Sequence, residues 1–242
     1  MSLEEVWTLT SLFERARDVD DVAELLFERM RQLGFKHVAC CNHVDPIQAP
    51  ARSIVMLNYP DTWVERYGVE KYSEIDPVFR VADAQVAPFH WNNDYFLTRL
   101  SRHQKRILGE AADFGLTDGV TFPIHGPRGL TASCSVAFER GAEEPKTLTK
   151  AHSLALFAYE AAVKLRLANG LTPVARLGAR ERECLLLAAD GKKDCAIADA
   201  MGLSESTVHN MFRNILRKYG VTSRTQALFR AFQTGELTAS SL

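Results

Sequence analysis

The residues most able to do chemistry lie near the end of the chain. Val208, Met211, Phe212 and Ile215 recur at helical spacing and form one apolar stripe. His209, Asn210, Arg213, Arg217 and Lys218 therefore face the other way. A helix with polar and cationic tips fits a major groove about 12 Å wide. An outward arginine can bond both acceptors of a guanine edge, and shorter polar groups and lysines can hold phosphates. Catalytic patterns are scarce by comparison. H-E-x-x-H and G-x-S-x-G are absent, and no C-x-x-C pair exists. Cys40 and Cys41 near His43 make the best candidate dyad, and they read better as strand packing. The chain is expected to be no enzyme and to hold no metal or cofactor.

The elements that must position the outward helix are short. A helix from about Ala179 to Asp190 stops at Gly191. A second carries Ile197, Ala198 and Met201, and a turn follows at Gly202-Leu203-Ser204. Ser204 is placed to cap the third helix, which runs from Glu205 to about Tyr219, with Gly220 as a left-handed terminator. From Arg176 onward the chain carries a net charge of +3, and the remainder carries −4. A mildly basic tail on an acidic body is compatible with a nucleic-acid partner.

Before that tail the pattern is mixed. Two helices are expected over 3–34, then strands at 35–44 and 53–59. Pro60 opens a short helix through Tyr67, and Asp76-Pro77 opens another. Pro88 to Asn93 reads as a loop, and Ser101 to Phe114 as an amphipathic helix. Strands at 119–125 and 130–139 flank a Gly-Pro-Arg-Gly turn at 126–129, and 147–168 is a long helix. The fold class expected is α+β: an α/β/α sandwich around an antiparallel sheet over 1–168, a linker at 169–176, and an all-α bundle over 177–242. The five cysteines, odd in number, fit free thiols in a reducing cytoplasm. No apolar run approaches the roughly 18 residues that span a bilayer, so no membrane partner is expected.

The tail resembles the LuxR-type helix-turn-helix. The likeness rests on Leu177 to Glu181, Gly191-Lys192, Ile197-Ala198, Leu203 to Glu205, Thr207-Val208, Asn214-Ile215, Lys218, Gly220-Val221, Arg224 and Gln226-Ala227. Ala196 departs from it where the family usually carries Glu, and Met211 where His is frequent. The resemblance implies double-stranded DNA as a partner, with His209 and Arg213 at base edges and Thr207, Lys218 and Arg224 at phosphates. It also implies a homodimer, with the helix 147–168 and the segment Ala227–Phe232 as candidate dimer faces, and contact with RNA polymerase.

Such a tail occurs behind phospho-receivers and behind small-molecule sensors. The front lacks an early acidic pair and any parallel-sheet rhythm, which argues against a receiver. Asn58-Tyr59-Pro60, Trp63, Tyr67, Asp76-Pro77, Trp91, Gly119 and Pro123 instead resemble the autoinducer-binding domain of the quorum-sensing LuxR family. That resemblance implies an N-acyl-homoserine lactone as ligand. The residue types suit it: the Trp63 indole can donate to the lactone carbonyl, Asp76 can accept from the amide N–H, and Tyr59 can donate to the amide carbonyl. Ser135 can add a hydroxyl, with Ser133 on the same strand face, and Tyr67 and Trp91 offer flat surfaces. Asp76 is expected to be unpaired in the empty pocket, at a cost the ligand relieves. Ala39 and Cys41, or Val38 and Cys40, would shape the tail end, where small residues leave room for a branched or aromatic acyl group. A regulator answering to a different apolar molecule is the alternative reading.

Overall fold

A computed structural model describes residues 11–50, 53–125, 131–138, 144–170, 177–234 and 236–237. The chain divides into two compact units, one reaching Gly170 and the other built from Leu171 onward. The expected turn 126–129, most of the linker and the start of the first expected helix lie outside the described residues.

The first unit is a five-stranded antiparallel sheet in the order β2-β1-β5-β4-β3. Its strands are β1 (His37–Asn42), β2 (Val55–Leu57), β3 (Phe89–His90), β4 (Asp118–His125) and β5 (Thr131–Phe138). Strand parity sorts the two faces. Val38, Cys40, Met56, Val120, Phe122, Ile124, Cys134 and Val136 pack against α1 (Val19–Gln32) and the long α6 (Pro145–Gly170). The opposite face takes α2 (Asp61–Val69), α3 (Pro77–Ala84), the short α4 (Asp94–Leu97) and α5 (Arg102–Asp113). β4 and β5 are buried on both faces except at their ends, because helices cover both sides.

Caps set the helix starts. Asp18 accepts from the Asp21 N–H at α1, and Ser101 with Gln104 forms a capping box at α5. The segment 88–93, read as a loop, contains β3, whose two residues pair with Thr121 and Val120. Two residues are too few for an alternating pattern to be visible in a sequence. The long helix begins at Pro145 and runs past its expected end into the expected linker.

The second unit is helical: α7 (Ala179–Ala189), α8 (Asp194–Met201), α9 (Glu205–Tyr219) and α10 (Arg224–Gln233). Gly202 ends α8 at φ 64°, a left-handed conformation that glycine adopts without strain. Ser204 then accepts from the Thr207 N–H and starts α9, which Gly220 ends at φ 64°. Val208, Phe212, Ile215 and Tyr219 are buried against Ile197, Ala198, Met201, Cys184 and Leu185, with Met211 half-buried beside them.

Candidate ligand cavity and nucleic-acid face

The cavity lies on the α2/α3/α5 face of the sheet, with about 800 Å³ of free space including its mouth. Ala39 and Cys41 bring the odd-numbered face of β1 to it, while Val38 and Cys40 point into the opposite core. β5 contributes Ser133 and Ser135, and α2 contributes Trp63, Val64 and Tyr67. Val78 and Phe79 from α3, and Ile107, Leu108 and Ala111 from α5, close the apolar walls. All six residues expected at the ligand, Tyr59, Trp63, Tyr67, Asp76, Trp91 and Ser135, line this one cavity.

Trp63 and Tyr67 lie one turn apart on α2 and meet edge to face at 5.9 Å. Trp63 also packs against Tyr72 and Phe114. Outside the cavity, Arg66 of α2 and Tyr72 both donate to Glu110 of α5, at 3.1 and 2.7 Å. Those bonds hold the Glu110 carboxyl at about 2 and fix the aromatic face of α2.

Asp76 does not stand unpaired. The Tyr67 hydroxyl donates to Oδ2 at 2.7 Å, and the Val78 N–H donates to Oδ1 at 2.7 Å. The carboxylate thus caps α3 as well as facing the cavity, because Pro77 at the first helical position leaves Val78 as the nearest orphan donor. The desolvation cost expected to await the ligand is already partly met. Burial still pushes the carboxyl above its ordinary value, against the bonds from Tyr67, Val78 and Phe79. Tyr67 is therefore more than a flat surface, since its hydroxyl orients Asp76.

On the sheet, Trp91 donates its indole N–H to Thr121 Oγ1 at 2.8 Å, and Thr121 meets Ser135 Oγ at 2.8 Å. Tyr59 lines the same cavity as Ser135, and burial raises its pKa well above the usual phenol value. Thr121 is the residue that sequence reasoning missed. Its signal was parity with Gly119, the next residue on the same face of β4. A side chain at Gly119 would meet Trp91 ring carbons at 2.8 Å and the Val136 carbonyl at 2.7 Å, so glycine is what lets the indole lie on the sheet.

The suspected dyad dissolves. Cys40 lies opposite Cys134 in the helix-covered core; its contact with Cys134 and its burial raise its thiol, and burial raises that of Cys41. His43 bonds to Asp83 and Ser133 instead. Among the described residues no cluster of three or more His, Cys, Asp or Glu side chains could hold a metal ion, and no helix is long and apolar enough to cross a membrane.

In the second unit, Thr207, His209, Asn210, Arg213 and Arg217 are exposed along α9. Thr207 Oγ1 meets the Ser204 hydroxyl at 2.8 Å, and Arg217 donates to Asn214. Lys218 and Arg224, expected at phosphates, have partners inside the unit. Lys218 donates to Glu181 at 2.6 Å, and that carboxylate also accepts from the Gly178 N–H. Arg224 is bidentate to Asp194 at 2.5 and 2.7 Å and stacks 3.8 Å over the Phe212 ring. Both cations tie α9 and α10 to the scaffold, because each lies where a helix end meets a carboxylate. Ala196 is exposed, so the Glu it replaces would not belong to the core.

Residues 18–162 match the autoinducer binding domain family, and residues 175–231 match the bacterial regulatory proteins of the luxR family. RhlR of Pseudomonas aeruginosa, an HTH-type quorum-sensing regulator, is 31% identical over 237 residues, 94% of each chain. A putative HTH-type transcriptional regulator, y4qH of Sinorhizobium fredii, is 34% identical over 184 residues; these are 74% of this chain and 56% of that protein's length. The crystal structure of Escherichia coli SdiA superposes with a TM-score of 0.73 at 25% identity, covering 96% of this chain and 97% of that one. SdiA has also been solved in complex with octanoyl-rac-glycerol, with a TM-score of 0.72 at 25% identity, covering 95% of this chain and 94% of that one.

Proposed function

Since this chain belongs to the LuxR family of transcription regulators, with an autoinducer-binding domain ahead of its helix-turn-helix, we propose that its cavity takes an N-acyl-homoserine lactone and that a homodimer binds a two-fold symmetric promoter site. The observation that carries the ligand reading is the convergence of Tyr59, Trp63, Asp76 and Ser135 on one otherwise apolar cavity. Such a cavity suits a molecule with a polar head and an apolar tail. In this reading the Trp63 indole donates to the lactone carbonyl, Asp76 accepts from the amide N–H, and Tyr59 with Ser135 donates to the amide carbonyl. Tyr67 and Trp91 close over the head. Isothermal titration of the purified chain with a series of acyl-homoserine lactones tests this; absence of binding by every member would reject it.

On the DNA side, Arg213 and His209 reach base edges, and Thr207, Asn210 and Arg217 flank them along the same exposed face of α9. Each protomer reads one half-site, so footprinting should protect two halves about one helical turn apart. The assembly acts at promoters through RNA polymerase and works in the cytoplasm.

One observation favours a second reading. SdiA, alike in fold over nearly its whole length, has been solved with octanoyl-rac-glycerol, which has a polar head and an eight-carbon tail but no lactone. Extracting the purified protein and identifying what it carries by mass spectrometry separates the two readings.

A further inference from the structure

Ser133, His43 and Asp83 have no part in the ligand reading so far. Ser133 precedes Ser135 by one pleat repeat on the same face of β5, about 7 Å along the strand. Its partners across the sheet are Cys41 and Pro123, and the apolar residues Val44, Pro46, Val55 and Phe79 line the same cavity. Ser133 Oγ meets His43 Nε2 at 3.0 Å, and His43 Nδ1 meets Asp83 Oδ1 at 2.7 Å. The imidazole is stacked on Phe79, 4.4 Å between centroids and 15° between planes, and its side chain is 6% exposed. The three residues come from the segment after β1, from α3 and from β5.

The hydrogen positions follow from this geometry. Asp83 can only accept, so it selects the tautomer with hydrogen on Nδ1. Burial lowers the His43 pKa, outweighing Asp83, so the ring is neutral near pH 7 and Nε2 holds a lone pair. Ser133 must then donate its hydrogen to Nε2. Its oxygen keeps lone pairs on the cavity side and has no hydrogen left to give.

We propose that Ser133, oriented by His43 and Asp83, accepts a hydrogen bond from a hydroxyl on the distal part of the ligand's acyl group. The preferred ligand is then a homoserine lactone whose acyl part carries a terminal hydroxyl, with a phenolic acyl group as the compact form. This rests on the cavity being a homoserine lactone site. With the amide held at Tyr59 and Ser135, Ser133 stands one pleat repeat away along β5, about 7 Å on, where the acyl part lies in this reading. An oxo group would bring a second acceptor to an acceptor; a hydroxyl brings the missing donor. The same three residue types activate nucleophiles elsewhere, but here the residue assigned to the amide carbonyl is Ser135, about 7 Å along the strand from Ser133. The N–H groups of a central strand point along the sheet, so no donor pair converges on a carbonyl beside Ser133.

The test is calorimetric titration of the full chain with 4-hydroxycinnamoyl-homoserine lactone and with cinnamoyl-homoserine lactone, in wild type, Ser133→Ala and Asp83→Asn. Wild type should bind the hydroxylated compound about tenfold more tightly than its twin. In Ser133→Ala the ratio should fall to about one, with cinnamoyl affinity unchanged within about twofold. Asp83 is nearly half exposed, so Asp83→Asn tests the same ratio in a chain under little folding stress. There the ratio should also shrink. A purely structural strap would alter stability and leave the ratios alone. Equal binding of the two compounds by wild type, or a ratio that survives both substitutions, overturns this inference alone. Release of free acid from either compound overturns it by making Ser133 a nucleophile. Binding of neither compound overturns this inference, while the acyl-homoserine lactone series decides the lactone reading separately.

Discussion

Asp76 does two things at once, and its variants should separate them. It caps α3 through Val78 and faces the cavity beside Tyr67. Asp76→Asn keeps one side-chain oxygen but replaces the charged acceptor, so ligand affinity should fall by about 1.5–3 kcal/mol, read by titration. The pH dependence follows from the raised carboxyl. In the empty protein the folded state holds the Asp76 proton more tightly than the unfolded chain does. Its contribution to stability is therefore full below the ordinary value of 3.8 and declines as pH climbs through the folded value. The ligand amide favours the ionised form. The ligand-induced rise in Tm should therefore grow as pH climbs through that same range; a flat profile would remove Asp76 from the amide contact. Gly119→Ala is the steric counterpart. Its methyl group would strike the Trp91 ring and the Val136 carbonyl, lowering stability by about 1–3 kcal/mol and weakening ligand binding with it. Thermal denaturation of the empty and loaded variant reads both.

At the scale of elements, α9 and α10 assign opposite roles to two arginines. Arg213 is exposed on the apolar stripe's far side, whereas Arg224 bridges α8 and α10 through Asp194 and lies on Phe212. Arg213→Ala should cost about 1–3 kcal/mol in operator discrimination with little change in Tm. Arg224→Ala should do the reverse, lowering the Tm of the helical unit by an amount equivalent to about 1 kcal/mol and leaving the preference between operators intact. Competition binding on matched and mismatched DNA, beside thermal melts, distinguishes them. The sheet follows a similar logic. Its even-numbered face packs a mostly apolar core with α1 and α6, where Asn42 bonds to Tyr159, and its odd-numbered face carries the sheet's buried hydroxyls Thr121, Ser133 and Ser135. A polar residue at an odd position of β4 or β5 is thus a candidate ligand contact before any ligand is known.

For the molecule as a whole, a ligand held in the cavity would couple binding to folding. A compound that binds only the folded sensor at a hundred times its Kd should add about 2.7 kcal/mol of stability. The first unit should show that gain as a higher Tm with homoserine lactone, while a helical unit melting independently should not move. Light scattering of the loaded protein should give the mass of a dimer, as two half-sites require.

Periodicity alone determined the helix-turn-helix, because every signal there is local: a stripe at helical spacing, a serine cap, and glycines where the backbone turns left-handed. The antiparallel α+β class and the six cavity residues were also legible, the latter through resemblance. Tertiary structure decided the rest. Arg224 and Lys218 were expected at phosphates, and no local spacing shows their carboxylate partners, which lie 30 and 37 residues away in the chain. Asp76 read as unpaired because the Tyr67 hydroxyl reaches it only once α2 and α3 are folded together. The contact between His43 and Ser133 spans 90 residues, and no spacing rule reaches that far. Patterns along a chain report what neighbours within a few residues require; the protonation and pairing of a buried group depend on whatever the sheet and helices bring beside it.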